Sequence, residues 1–136
     1  MKVYNKNLLL LLFGIGIAIL VSAVGCQKNP ANGKVTGTVT LNGKPLPNAA
    51  VTFHPEAANV LTSLGGTDNN GQYELFYSDN KTGAVPGKYT ATVSTGQEWN
   101  NIPETVPDKY LNKTTSGLDY NIKSGKQIIN IELNSE

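Results

Sequence analysis

Cys26 is the only cysteine in the chain and therefore the only residue that could supply a thiolate, a strong nucleophile. It closely follows an uncharged apolar run at residues 8–24, which is itself preceded by Lys2 and Lys6. A basic segment, an apolar segment and small residues in this order are the layout of a secretory signal. The sequence therefore predicts that residues 1–25 are a signal helix and that Cys26 is covalently modified.

The residues Ala23-Val24-Gly25-Cys26 resemble the bacterial lipobox, in which small or aliphatic residues precede a cysteine that becomes the first residue of the mature protein. Leucine is commoner where Ala23 stands. The resemblance implies that the Cys26 thiolate takes a diacylglyceryl group as a thioether and that a peptidase then cuts after Gly25. It also implies three acyl chains on Cys26, and because two chains already hold a protein stably, this tether would be permanent.

An uncleaved membrane anchor is the alternative interpretation of residues 8–24. A helix needs about 20 apolar residues to span a bilayer. This run has 17 and contains Gly14 and Gly16, which are poor helix formers, so cleavage is favoured. The residue after the cysteine is Gln27 rather than aspartate, and the usual bacterial sorting pattern then favours the outer membrane where an envelope has two.

The remaining polar residues offer little that could perform catalysis or hold a metal. His54 is the only histidine and is predicted to be a solvated surface residue before Pro55. Asp68, Asn69 and Asn70 invite a calcium interpretation, but the spacing lacks the alternating oxygens and final glutamate of an EF-hand, so a turn held by Asx side chains is favoured. With no arginine, no other thiol and no HExxH-type spacing, we expect no catalytic residue, no metal, no cofactor and no enzyme activity.

Trp99 is the residue whose type and neighbours best suit a ligand. It lies in residues 94–115, the longest stretch without hydrophobic periodicity, and it is flanked by Glu98, Asn100 and Asn101. An aromatic face can stack on a sugar while carboxylate and amide groups bond its hydroxyls, and long loops are often functional. The alternative, which we prefer, is that Trp99 caps one end of the core, as buried tryptophans often do.

Composition limits both the partners of the chain and the means by which its fold can be stabilised. Without residues 1–25 the chain has 111 residues, enough for a single domain, with 9 lysines, no arginine and 10 acidic residues. The resulting net charge of −1 argues against nucleic acid as a partner, since that requires a concentrated basic patch. Once Cys26 is acylated no thiol remains, so the hydrophobic core alone must stabilise the fold. Residues 26–33 are polar and predict a flexible tether, followed by a domain at residues 34–136.

Alternating residues predict the strands that must position these groups. In residues 35–41 valine, glycine and leucine alternate with threonine, and Asn42-Gly43 then predicts a hairpin turn. Val51 and Phe53 resume the inward face after a segment broken by two prolines. Residues 56–66 are expected to form a loop, and residues 72–77 a strand with Tyr73, Leu75 and Tyr77 on its inner face.

The second half of the chain follows the same pattern. Tyr89, Ala91 and Val93 predict a central strand, and residues 118–122 and 129–133 predict a closing hairpin. No segment has a helical period. Short strands separated by frequent turn signals therefore predict an all-β sandwich.

Several stretches resemble the carboxypeptidase regulatory-like, or transthyretin-like, domain family. They are VTGTVT at 35–40, GKPL at 43–46, AVTF at 50–53, TD at 67–68 with GQY at 71–73, and VPGKYT at 85–90. The ending, with PDKY at 107–110 and TSGL at 115–118, resembles small bacterial lipoproteins built on that domain. The resemblance implies a seven-stranded Greek-key β-sandwich and brings no catalytic motif.

Together these features predict a non-catalytic envelope lipoprotein, held in the bilayer through acylated Cys26, that acts as an interaction or structural module. Its partners would be envelope proteins or glycans. The alternative is a carbohydrate-binding module that uses residues 94–115 around Trp99.

Overall fold

The computed structural model describes residues 30–78, 81–97 and 102–135. The predicted signal helix, Cys26 and Trp99 lie outside these residues. The described chain forms eleven β-strands and one 3-10 helix, and it contains no α-helix. The strands are β1 (Gly33–Leu41), β2 (Lys44–Pro45), β3 (Ala50–Pro55), β4 (Ser63–Gly66), β5 (Gln72–Glu74), β6 (Phe76–Ser78), β7 (Lys81–Thr82), β8 (Gly87–Ser94), β9 (Asp119–Ile122), β10 (Gly125–Ile128) and β11 (Ile131–Leu133), and the 3-10 helix is Asp108–Tyr110.

The strands lie in two sheets, as the all-β prediction requires. In the first sheet β1 is central, with β10 and β11 parallel to it on one side and β5 and β2 antiparallel to it on the other. The second sheet has the order β7-β6-β4-β3-β8-β9 and is antiparallel throughout. Because β8 lies between β3 and β9, its predicted central position is confirmed.

The two sheets bury the faces that the alternation predicted. Val35 and Val39 of β1 are fully buried, as are Val51 and Phe53 of β3. Tyr89, Ala91 and Val93 line the inner face of β8 and are 0 to 2% exposed. Aromatic rings fill the centre: the Phe53 ring stacks on the Tyr120 ring with centroids 5.6 Å apart.

The predicted closing hairpin is wrong. β9 pairs antiparallel with β8 in the second sheet, whereas β10 and β11 pair parallel with β1 in the first. Of the residues predicted to face inward, Ile122, Ile131 and Leu133 are buried, and Leu118, Tyr120 and Ile129 are partly buried and pack against the core. Alternation identifies which residues of a strand face the core, but it is equally compatible with either sheet, so it cannot choose the partner strand.

Two other boundaries differ from the prediction. Residues 56–66 are not all loop, because β4 pairs with β3 there; its two glycines and single large apolar residue hide the strand pattern. Residues 72–77 are not one strand, because the chain changes sheet at Leu75, between β5 and β6. Leu75 is fully buried and its amide donates to the Val35 carbonyl (3.0 Å), whereas Tyr77 is only half-buried.

A close backbone approach occurs where Gly37 faces the junction between β10 and β11. A Cβ atom on Gly37 would lie 1.8 Å from the Ile129 carbonyl oxygen. The junction is hydrogen-bonded on both sides of Gly37: the Ile129 amide donates to the Thr36 carbonyl (2.8 Å), and the Thr38 amide donates to Asn130 Oδ1 (3.0 Å). Only glycine leaves room for this contact.

The proximal end of the domain is where the described chain enters β1. The Gly33 amide donates to the Ala84 carbonyl (3.0 Å), and Gly33 pairs with Gly125. Ala31 is 2% exposed, so the folded part begins before residue 34, the predicted start of the domain. The predicted tether, residues 26–33, therefore overlaps the folded part at residues 31–33.

The distal end lies at the opposite end of the same strands. There β1 finishes beside Leu133, and β3 begins beside Ser94. The buried Thr67 hydroxyl fastens this end, because it accepts from the Ala49 amide (2.8 Å) and donates to the Leu46 carbonyl (2.7 Å).

Candidate functional site

The base of the predicted Trp99 loop lies at the distal end. Gln97 and Ile102 form an antiparallel bridge in which each amide donates to the other's carbonyl oxygen at 3.1 Å. Residues 98–101, which include Trp99, connect these two bridged residues and lie outside the described chain. Both predictions for Trp99, ligand binding and capping of the core, thus concern a segment whose two flanks are hydrogen-bonded together.

The Glu104 carboxylate organises this base. Its Oε1 accepts from the Thr95 hydroxyl (2.7 Å) and the Val106 amide (2.8 Å), and its Oε2 accepts from the Ser94 hydroxyl (2.6 Å) and the Gly96 amide (2.9 Å). Burial alone would raise the Glu104 pKa, but the hydrogen bonds from Ser94, Thr95 and Val106 outweigh it and lower the pKa to about 2. A carboxylate held by several donors in this way is structural, because all its bonding capacity is used within the loop.

Acid should loosen the loop through Glu104. Because its folded pKa is about 2 and its ordinary value is 4.5, the carboxylate contributes stability above pH 4.5 that is lost as pH falls towards 2. We expect Glu104→Gln at neutral pH to lower the free energy of unfolding by about 1 to 2 kcal/mol, since the amide NH₂ cannot accept from the same donors and solvent screens part of the effect.

Urea unfolding between pH 2 and 7 measures this contribution, with Glu56→Gln as a control at an exposed glutamate. The wild-type and Glu104→Gln curves should converge at low pH. Equal stability of the two proteins at pH 7 would contradict the structural role of Glu104.

A hollow of about 300 Å³ lies beside the loop base. Its lining is mostly apolar and joins the loop to the segment between β2 and β3: Leu46, Pro47, Asn48, Thr95, Gln97, Ile102, Pro103 and Thr105. Ile102 is 43% exposed at its rim. The hollow can take a small apolar group or one side chain of a partner.

A second concave surface, the threonine groove, crosses the outer face of the first sheet and has a volume of about 630 Å³. Its floor carries hydroxyl, amide and carboxylate groups from β1 and β5, and apolar walls stand on either side. The floor includes Thr36, Thr38, Gln72 and Glu74, and the walls are Phe76, 44% exposed, and Ile128, 76% exposed.

Sequence reasoning missed this groove, because the hydrophobic pattern of a strand does not show which residues stand beside its outer face. The threonines of β1 were correctly predicted to point outward, which was the available signal. The walls come from β6 and from the end of β10, and their positions depend on the change of sheet at Leu75 and on the parallel pairing of β10 with β1.

His54 and Asp68, which the sequence analysis considered as possible ligands, have structural roles. His54 Nε2 lies 3.0 Å from the Thr92 hydroxyl, and burial, followed by the nearby Lys113 charge, lowers the His54 pKa. His54 is half-buried, so it is less solvated than predicted. Asp68 Oδ1 accepts from the amides of Asn70 (2.8 Å) and Gln72 (2.9 Å), which confirms the Asx-held turn.

Among residues 30–78, 81–97 and 102–135, no group of three His, Cys, Asp or Glu side chains could hold a metal ion. The same residues contain no helix that is long and apolar enough to cross a membrane. Cys26, the predicted acylation site, precedes them in the chain. No protein-family model matches this sequence, and no curated protein and no solved structure is significantly similar to it.

Proposed function

We propose that this protein is a non-catalytic envelope lipoprotein, anchored through acylated Cys26, that presents its distal end to a partner. The observation that carries the proposal is the position of the two ends. The chain enters the domain at the proximal end, close to Cys26 in sequence, while the Glu104-fastened loop and the 300 Å³ hollow lie at the opposite end. A rigid sandwich between anchor and loop would hold the loop away from the bilayer.

We further propose that the two-sheet fold is the seven-stranded Greek-key sandwich of the carboxypeptidase regulatory-like family. The order of the matching stretches along residues 35–90 and the all-β architecture support this. Several of the eleven strands are only two or three residues long, so short segments would count as parts of longer family strands. The lipobox and Gln27 support export to the outer membrane where two membranes exist.

Mass spectrometry of the mature amino terminus tests the anchor. We expect the mature chain to begin at Cys26 and to carry acyl groups on it. A mature chain that begins at another residue, or an unmodified Cys26 thiol, would refute this part of the proposal.

Cross-linking of the acylated protein in its own envelope tests the partner. Ile102→Glu places a charge at the rim of the distal hollow and should abolish the main cross-linked species. Leu64→Glu, which alters an exposed leucine on the second sheet (55% exposed), is the matched control and should leave it unchanged. Equal cross-linking by both variants would show that the partner does not use the distal end.

Carbohydrate binding is the alternative function, and the threonine groove gives it a second location besides Trp99. The groove combines hydroxyl and amide groups with an exposed phenylalanine wall, which suits a sugar ring.

If glycans bind at the loop, Trp99→Ala should weaken binding by about 2 kcal/mol or more while leaving the melting temperature nearly unchanged. If they bind in the groove, Phe76→Ala should do so instead. A stability loss of about 3 to 5 kcal/mol for Trp99→Ala would identify Trp99 as a core cap.

A further inference from the structure

Lysine side chains are concentrated around the proximal end. Of the eight lysines in the described residues, the five at this end are all exposed: Lys34, Lys81, Lys88, Lys123 and Lys126. Lys34 and Lys126 are neighbours on β1 and β10, Lys123 follows β9, and Lys88 lies near the start of β8. They come from five different strands or turns, so their clustering arises only in the folded chain.

Few acidic groups offset this charge. Glu56 and Glu74 share the proximal end, and Glu74 Oε1 lies 3.9 Å from Lys34 Nζ. In the part of the chain that the structure describes, the other four lysines of this end form no ion pair. Lysines therefore exceed acids by three here. The excess is two when Asp119, which pairs with Thr90 of β8, is counted with this end, and the rest of the described domain then has four acids and three lysines.

The charge separation persists when neighbouring residues outside the described chain are counted. Lys28 and Asp79 are close to the proximal end in sequence, and their opposite charges cancel. The net charge of the mature chain is close to zero, so composition alone conceals a domain that is positive at one end and negative over the remainder.

We propose that the proximal end binds the anionic phospholipid headgroups of the bilayer that holds the anchor, so that the domain stands upright with its distal end outward. This inference rests on the proposed acylation of Cys26. Residues 26–30 span at most about 17 Å, at roughly 3.3 Å per residue, so the acyl chains hold the lysines near the surface. The surface potential of an anionic bilayer acts within a Debye length, about 8 Å at physiological ionic strength.

The opposite charge of the remaining surface reinforces this orientation. An anionic bilayer attracts the proximal lysines and repels the acids of the rest of the domain, so a domain lying on its side or inverted is disfavoured. Each lysine close to an anionic surface favours the bound state about five-fold. Five lysines offset by two or three acids then give a strong bias in orientation without any apolar insertion.

The experiment uses the acylated mature protein in vesicles of phosphatidylcholine alone or of equal parts phosphatidylcholine and phosphatidylglycerol. Because Cys26 is blocked by acylation, one introduced cysteine can carry a single fluorescent label. Ser124→Cys places the label at the proximal end, and Asn69→Cys places it in the turn after β4 at the distal end. A lipid with a quencher on its headgroup then reports how close each label lies to the membrane surface.

We expect the Ser124 label to be quenched several-fold more than the Asn69 label in anionic vesicles, with the difference reduced in neutral vesicles and at 1 M salt, where the Debye length falls to about 3 Å. Combining Lys123→Gln with Lys126→Gln should lower the ratio of upright to other orientations about 25-fold. The matched control, Lys44→Gln with Lys113→Gln, removes the same charge elsewhere and should not reduce the difference in quenching, because it only makes the rest of the domain more negative.

Two outcomes overturn the inference in distinguishable ways. If the protein stays with both kinds of vesicle but the difference in quenching is the same in both, the anchor holds and the lysine contact is refuted. If the protein does not stay with neutral vesicles, the anchoring at Cys26 fails and this inference fails with it.

Discussion

Gly37→Ala should unfold most of the domain's molecules at physiological temperature or lower its melting temperature by about 12 to 24 °C. The new Cβ would lie 1.8 Å from the Ile129 carbonyl oxygen, far inside van der Waals contact. The Ile129–Asn130 junction would have to move away from β1, which breaks its hydrogen bonds to Thr36 and Thr38. We expect a loss of at least about 3 kcal/mol, a large part of the 5 to 15 kcal/mol typical of whole domains.

Gly66→Ala is the matched control, because a Cβ there meets nothing within 4 Å. The same chemical change should shift the melting temperature by only a few degrees. Circular dichroism melts of both variants measure the difference. A Gly37→Ala protein as stable as the wild type would show that the junction between β10 and β11 does not lie against β1 as described.

Val93→Asp should abolish cooperative unfolding altogether. Val93 is 1% exposed on the inner face of β8, and it pairs with the fully buried Val51 of β3. An unpaired carboxylate there must either remain charged in an apolar core or take up a proton at several kcal/mol of cost, and the side chain also loses its packing. We expect an unfolded chain at neutral pH in circular dichroism and one-dimensional proton NMR.

Thr92→Asp is the control that places the same charge on the outer face of β8 instead of its inner face. Thr92 is the preceding residue of β8, is half-buried and points away from the core, where its hydroxyl meets His54. We expect Thr92→Asp to lower the free energy of unfolding by less than about 2 kcal/mol. A stable Val93→Asp protein together with an unfolded Thr92→Asp protein would mean that the two faces of β8 are exchanged.

The sequence predicts which residues face the core better than it predicts which strands meet. The threonine and valine alternation of β1 and the inward set of β8 are confirmed, because period-two patterns depend only on local geometry. The closing hairpin is wrong because adjacency in sequence favoured β9 with β10, whereas burial of both was achieved by placing them in different sheets. Pairings of this kind depend on the whole core and leave no local signal.

The candidate site is likewise only partly predictable from the sequence. The long segment around Trp99 is recognisable from its missing periodicity, but the role of Glu104 is not, because its hydrogen-bonding partners include backbone amides of Gly96 and Val106 that any sequence would supply. The threonine groove likewise needs Phe76 and Ile128 to stand on opposite sides of one face, which only the fold determines. The lysines of the proximal end also lie far apart in the sequence, and only the fold brings them together.

The parallel pairing of β1 with the last two strands has a consequence for how the chain folds. Gly33 pairs with Gly125 and Leu41 with Leu133. The partners of β1 are therefore 92 residues away in the sequence. Such a high contact order slows folding, because loop-closure entropy is lost before these contacts form. A chain that is synthesised from its amino terminus can therefore complete its first sheet only after nearly all of it has been made, and removal of the final dozen residues would leave β1 with an open edge.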